Sequence, residues 1–321
     1  MMTTAVQSVA ASGGRAKRKG RLAIQLRSQI PLYLMLLPAV TFILLFCYYP
    51  MYGAQIAFRD YTIAKGITGS PWVGLKHFIN FINYYQFWLI IKNTIRLSVY
   101  SLTAAFAVRL IFSLSLNCML GSRYRKLVQT VTYMPHFIST VVMVGIVIRF
   151  LNPSLGIISL AIQALGGTNR DLMGVASAVP HIYVWSGIWQ NAGWSTILFI
   201  AVLASVDPQL HESAIVDGAS RFKRIWYIDM PTLVPTMVIC LIMDFGGIMN
   251  VGFEKILLMQ NNLNLSTTQV ISTYVYQKGI AASRPEFSYT AAIGLFNSVI
   301  SFFLVVVVNR IAKSLNQASL W

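Results

Sequence analysis

Apolar residues fall in six long runs along the chain, and polar residues gather in the intervals between them. The runs cover roughly residues 31–53, 89–119, 128–151, 181–205, 232–259 and 289–311. A helix needs about 20 mostly apolar residues to cross the hydrocarbon core of a bilayer, and every run reaches that length. Strands of a membrane barrel are shorter and alternate apolar with polar positions; these runs do not alternate. The pattern predicts an all-α, polytopic membrane protein with six transmembrane helices.

The intervals differ in character. The one after the first run carries Gly66, Gly69, Pro71 and Gly74, all turn formers. Those near 152–180 and 260–288 are also broken by Gly, Asn and Pro. The interval at 206–231 is polar and substantial. The expected organisation is a disordered basic arm over 1–30, a six-helix domain over 31–315 and a short tail over 316–321. No internal repeat and no second soluble domain stand out.

Composition supports residence in lipid. The chain is 56% hydrophobic and 11% charged, where soluble domains carry about 25% charged residues. The net charge of +16 does not indicate nucleic acid, because the basic residues sit in short runs between apolar segments instead of on one face. The positive-inside rule accounts for them. With the N-terminus inside, the inner regions hold Arg15, Lys17, Arg18, Lys19, Arg21 and Arg27, then Arg123, Arg125 and Lys126, then Arg221, Lys223 and Arg224, then Arg310 and Lys313. The outer intervals hold only Arg59, Lys65, Lys76, Arg170, Lys278 and Arg284. Both termini are therefore expected in the cytoplasm. The arm resembles the charged start of a signal peptide, but the run behind it is too long and lacks a clean small-residue cleavage site, which predicts an uncleaved first span. Cys47, Cys118 and Cys240 lie inside apolar runs without metal-ligand spacing and read as small buried hydrophobes.

The interval at 207–231 carries the most specific chemistry. Asp207 can cap a helix and Pro208 suits its first position. A short helix over 208–217 is expected, then a sharp turn at Gly218, which tolerates positive φ. A second short helix over 220–229 is expected to end at Pro231. Ser213, Ala214, Gly218 and Ala219 are small enough to let another protein approach closely, while Glu212 and Asp217 present charge. The competing reading is an interfacial linker held at lipid headgroups by Arg221, Lys223, Arg224 and Trp226.

Spacing separates the two readings. Glu212 is followed by a Gly six positions later, Ile228 ten beyond that and Pro231 three further on. This resembles the Glu-Ala-Ala coupling loop of bacterial ABC importer permeases, with Ser213 replacing the first Ala and Met230 replacing the Leu before the proline. Tyr49–Gly53, Ile56–Asp60, Gly69–Leu75, Gln129–Ser139, Asn93-Thr94 and Leu116-Asn117 extend the likeness over roughly 30–315. They resemble the polysaccharide permeases, a subgroup of the maltose-permease-like importers, and within it the first permease subunits of bacterial alginate importers. The resemblance implies an ABC type I importer permease fold in the bacterial cytoplasmic (inner) membrane. It implies a second permease subunit, two ATPase subunits, an extracytoplasmic solute-binding protein and an oligosaccharide substrate, acidic if the alginate likeness holds. It also implies ATP and Mg on the partner ATPase, with no cofactor bound by this chain. Unlike the maltose permease, the chain lacks a large periplasmic insertion and extra N-terminal helices, so details of binding-protein docking do not carry over.

A polar group at bilayer depth is costly unless it faces protein or water. The fourth run carries Gln190, Asn191 and Trp194, and the fifth carries Asp244, Gly246, Gly247 and Asn250. Amides donate to and accept from hydroxyls, aromatic faces stack on sugars, and glycines make room. The resemblance places sugar contacts on the helices flanking the coupling loop, so Gln190, Asn191, Trp194, Gly246, Gly247 and Asn250 form the expected substrate site. Helix–helix packing competes for each of them. Asp244 has Arg96 or Arg109 as ion-pair partners in prospect. Arg149 is expected to snorkel at the outer end of its helix, and His136 to repair the backbone bond that Pro135 removes.

No Gly-x-x-x-x-Gly-Lys-Ser/Thr loop occurs, and no arrangement of side chains suggests catalysis. The reading is therefore a permease subunit and not an enzyme. Its rival is a secondary transporter or channel working without an ATPase, against which the lack of repeated halves argues.

Overall fold

The computed structural model describes residues 29–119, 121–167, 170–315 and 318–319. Most of the expected basic arm and tail lies outside the described residues. Among the described residues five helices are long and apolar enough to cross a membrane: α1 (Gln29–Phe58), α4 (Phe87–Asn117), α8 (Val179–Ala204), α10 (Arg221–Gly246) and α14 (Phe287–Ser314). Shorter helices join them: α2 (Gly66–Gly69), α3 (Lys76–Ile82), α5 (Ser122–Phe137), α6 (Thr140–Phe150), α7 (Ile157–Ala164), α9 (Pro208–Val216), α11 (Phe253–Met259), α12 (Leu265–Thr268) and α13 (Ile271–Gly279). Among the described residues the only β pairing is an isolated bridge between Arg59 and Trp72.

The third expected span, a single helix over 128–151, is corrected. It consists of α5 and α6, bent by 100° at their junction. Pro135 lacks a backbone donor, and the chain tightens there into a 3₁₀ turn over Met134–Phe137. Ser139 then caps a new helix, its hydroxyl accepting from Val142 N at 3.4 Å.

The fifth expected span, 232–259, is also corrected. Its helix begins earlier and ends at Gly246, and the chain restarts as the separate helix α11 after Gly252. Gly246 and Gly247 weaken a helix through their backbone entropy, which accounts for the stop.

Pro231 does not end a helix, contrary to expectation. A π turn over Ile225–Asp229 precedes it, with Met230 N donating to Ile225 O. The widened turn absorbs the missing donor of Pro231, and α10 continues. The same device carries α1 past Pro50: a π turn over Leu44–Tyr48, with Tyr49 N donating to Leu44 O, stands just before it.

Three apolar clusters hold the helices together. Leu97, Met143, Val184 and Ile256 join α4, α6, α8 and α11. Phe81, Ile90, Tyr274 and Ile293 join α3, α4, α13 and α14. Phe199, Leu203 and Leu233 join α8 to α10 at the end of the bundle that carries α9. Helices α8 and α5 cross closely at Gly193, where a Cβ would collide with the carbonyl oxygen of Thr132. Along α1 the apolar side chains are exposed through most of its length, as a helix facing lipid or another subunit requires.

Candidate functional site

The segment between α8 and α10 forms a protruding knob. Asp207 Oδ1 accepts from Gln209 N at 2.9 Å and caps α9. The helix closes on Gly218 at φ +75°. There Ala219 N donates to Ala214 O at 2.8 Å and Gly218 N to Ile215 O at 3.0 Å. This paired closure with a left-handed residue is a Schellman motif, which favours glycine. Ser220 then starts α10, its hydroxyl accepting from Lys223 N at 3.3 Å. Glu212, Ser213, Asp217 and Gly218 are exposed, and Ala214 and Ala219 half-buried. Val216 is 87% exposed and Ile215, Phe222 and Tyr227 also face outward, so the knob presents apolar surface beside its two acids.

Beneath the knob lies a contact that sequence reasoning missed. Asp229, only 2% exposed, has its Oδ1 3.4 Å from His211 Nε2 on α9. The same oxygen accepts from Asn117 Nδ2 at the end of α4, also at 3.4 Å. These residues border a pocket of about 580 Å³ between α4, α9 and α10. The available signal was a lone carboxylate two positions before Pro231, inside a stretch that becomes helix.

Farther along α10, two adjoining cavities of about 240 and 250 Å³ open between α4, α8, α10 and α11. They share Ser101, Ala105, Arg109 and Tyr183 as a common wall. Gly247 and Asn250 line one, and Gln190 and Asn191 line the other. Trp194 and Gly246 line neither. Gln190 is buried, and its Nε2 donates to Ile138 O at 2.8 Å. It thereby satisfies a carbonyl at the bend between α5 and α6. Asn191 Oδ1 is 3.0 Å from His136 Nδ1, and its Nδ2 donates to Gly187 O. Trp194 stacks on His136, with ring centroids 4.5 Å apart and planes at 4°. His136 thus works through side chains of α8 and not as a backbone patch. Asn250 Oδ1 accepts from Asn297 Nδ2 of α14 at 3.0 Å, and Gly246 lets Val305 of the same helix approach.

Of the two partners in prospect for Asp244, the structure chooses Arg109: Nη1 to Oδ2 is 3.3 Å, while Arg96 is exposed. Arg149 is exposed in the last turn of α6. At the opposite end from the knob, Asp60 pairs with Lys76 at 2.7 Å and lies 3.0 Å from His77 Nε2. The Lys76 hydrogen bond holds the Asp60 carboxyl below its usual range. Among the described residues no group of three His, Cys, Asp or Glu side chains is placed to hold a metal ion.

Helices of bilayer-spanning length, cavities between them lined by both apolar and polar side chains and an exposed knob between two spans fit a membrane permease. The chain belongs to the family described as binding-protein-dependent transport system inner membrane components, which matches residues 110–318. It is thus a multi-pass inner-membrane protein of that class. It is 38% identical over 307 residues to the polygalacturonan/rhamnogalacturonan transport system permease protein YteP of Bacillus subtilis, covering 96% of this chain and 95% of that one. It is 39% identical over 290 residues to protein LplB of the same organism, covering 90% and 91%. In three dimensions it is similar to a chain of the crystal structure of a bacterial alginate ABC transporter in complex with an alginate pentasaccharide-bound periplasmic protein. The TM-score there is 0.85 at 35% identity, over 94% of this chain and 100% of the solved one.

Proposed function

We propose that this chain is one of two permease subunits of an ATP-binding-cassette importer that carries an acidic oligosaccharide from an extracytoplasmic binding protein into the cytoplasm. Two separate ATPase subunits bind ATP and Mg and hydrolyse the nucleotide; this chain binds no cofactor. Both termini and the knob lie on the cytoplasmic side. The named substrates of the relatives, polygalacturonan/rhamnogalacturonan and alginate, are acidic polysaccharides and support the substrate class.

One observation carries this reading: the knob is mechanically continuous with the cavity wall. Gly218 seals α9 against the start of α10. From there α10 runs unbroken for 26 residues, a rod of about 39 Å, and brings Asp244 to the cavity. Closure of the ATPase dimer on ATP draws the knob inward, α8, α10 and α14 rock, and the cavity changes the side to which it opens. A ligand shifts such a balance only by binding its two states differently; nucleotide supplies that difference through Glu212, Ser213, Ala214, Asp217, Gly218 and Ala219. Asn191, Gly247 and Asn250 face the sugar path, Gln190 lines it with a side chain committed to Ile138 O, and Trp194 and Gly246 stand outside the lining.

The test is cross-linking in the assembled transporter. A cysteine at Ser213, which is exposed, is expected to capture an ATPase subunit in a nucleotide-dependent way. Uptake that continues in vesicles without the ATPase, or a cysteine at Ser213 that captures no such subunit, overturns the reading in favour of a secondary transporter or channel.

A further inference from the structure

Lys255 on α11 is 9% exposed and borders the cavity that also holds Asn191 and Arg109. Its Nζ donates to Tyr183 O at 2.6 Å and lies 4.7 Å from the Tyr183 ring centroid. An ammonium has three donors, and this one uses a single carbonyl. No carboxylate pairs with it among the described residues; Asp244, which lines the adjoining cavity, is engaged by Arg109. Gly187 makes room for the ammonium, since a Cβ there would stand 2.8 Å from Nζ. A buried charge without a counter-charge is costly, and such an ammonium either gives up its proton or gains an anionic partner; an anion entering the cavity would hold the proton in place.

A second observation is independent of the lysine. In α4, Thr94, Thr103, Ser113 and Ser115 all turn their hydroxyls back onto carbonyls of the preceding turn, at 2.7–2.9 Å. This is the ordinary fate of a helical hydroxyl. Ser98 and Ser101 in the same helix do not: their Oγ atoms are buried without a partner, as is Arg109 Nε. All three line the adjoining cavity, and Ser101 and Arg109 stand on the wall it shares with the cavity of Lys255. The two cavities and their shared wall therefore hold one ammonium without a paired carboxylate and unused hydroxyl and guanidinium donors.

We infer that Lys255, with Ser98, Ser101 and Arg109, forms a subsite on the translocation path that takes the carboxylate and neighbouring hydroxyls of a uronate residue. The inference rests on the importer reading and adds the residues that read the charge of the sugar. A neutral sugar supplies the hydroxyls but not the anion. An anionic lipid headgroup supplies the anion, and the choice of vesicle separates the two sources.

The complete transporter is reconstituted in phosphatidylcholine vesicles, which carry no net anionic headgroup, and given a labelled uronate trisaccharide. Lys255→Met is expected to lower uptake per ATP hydrolysed by about tenfold, the loss typical of a hydrogen bond to a charged group. The Tm of the Lys255→Met complex should hold or rise, because an unpaired buried charge has been removed. Lys255→Arg keeps the charge and should stay within about threefold of wild type, and Ser101→Ala should cost about threefold, as for a neutral hydrogen bond. Lys255→Met taking up the probe at the wild-type rate overturns the subsite. So does a matching loss in Lys255→Arg, or a Tm of Lys255→Met that falls in step with uptake, since each points to shape or folding in place of charge. Wild-type transporter that ignores the uronate trisaccharide overturns instead the acidic-substrate reading on which the subsite depends.

Discussion

His211 Nε2 lies 3.4 Å from Asp229 Oδ1, and this contact ties the knob helix α9 to a buried carboxylate in the third turn of α10. Asn117 meets the same oxygen from α4, so one carboxylate joins three helices at the rim where the ATPase is proposed to dock. His211→Leu removes one of two side-chain partners from a carboxylate that is almost fully buried. The expected result is faster amide exchange in α9, and uptake per ATP down about tenfold, in keeping with a charge-assisted contact of 1.5–3 kcal/mol. Exchange and coupling both at wild-type values would show that α9 is held by its backbone alone.

Gly218 makes a separate prediction. At φ +75° an L-residue costs about 1–2 kcal/mol, although no neighbouring atom crowds the position. Gly218→Val should therefore leave insertion and helix content intact while loosening the end of α9 and depressing uptake. Uptake unchanged in Gly218→Val, with the protein in the membrane, would separate the knob's shape from transport.

Much of this architecture is legible in the sequence because hydropathy over 20 residues is a local property. The knob is legible for the same reason: Asp207, Pro208 and Gly218 act within one turn of their own positions. What escapes is anything decided by a distant partner. The bend at Ile138-Ser139 is announced by Pro135, but its 100° angle depends on Gln190, 52 positions away, accepting the role of donor to the Ile138 carbonyl. The stop at Gly246 looks like a continuing apolar run because α11 is itself apolar and buried. Lys255 lies within an apolar run of the sequence and becomes a cavity residue once α11 packs against α8. Asp229 is hidden by the π turn that lets α10 run through Pro231, a change of backbone pattern that residue spacing does not reveal.

Gln190 is the clearest case of a residue whose two roles can be separated. A side chain chosen in sequence for sugar contact is buried and hydrogen-bonded to Ile138 O. Gln190→Leu leaves that carbonyl unpaired, at a cost of about 1–3 kcal/mol, and should lower the Tm of the assembled transporter. Loss of uptake without any change in Tm would instead return Gln190 to the sugar path.

Arg109 and Asp244 give a cycle that tests whether their pair holds the cavity together or only lines it. They come from α4 and α10, with Nη1 3.3 Å from Oδ2. Removing either charge alone leaves the other uncompensated, at a cost below the roughly 3–5 kcal/mol of a fully buried pair because the Asp244 side chain is 38% exposed. Arg109→Met and Asp244→Leu should each reduce the amount of folded transporter recovered from membranes. The double variant Arg109→Met/Asp244→Leu should recover most of it, because two apolar side chains of similar volume need no counter-charge. Its Tm should therefore exceed that of both single variants. Uptake should not return with stability, because the same substitution removes the guanidinium from the cavity wall. A double variant that regains uptake as well as folding would assign the pair a purely structural role. A double variant no more stable than Arg109→Met would mean that the two charges do not compensate one another in the folded protein.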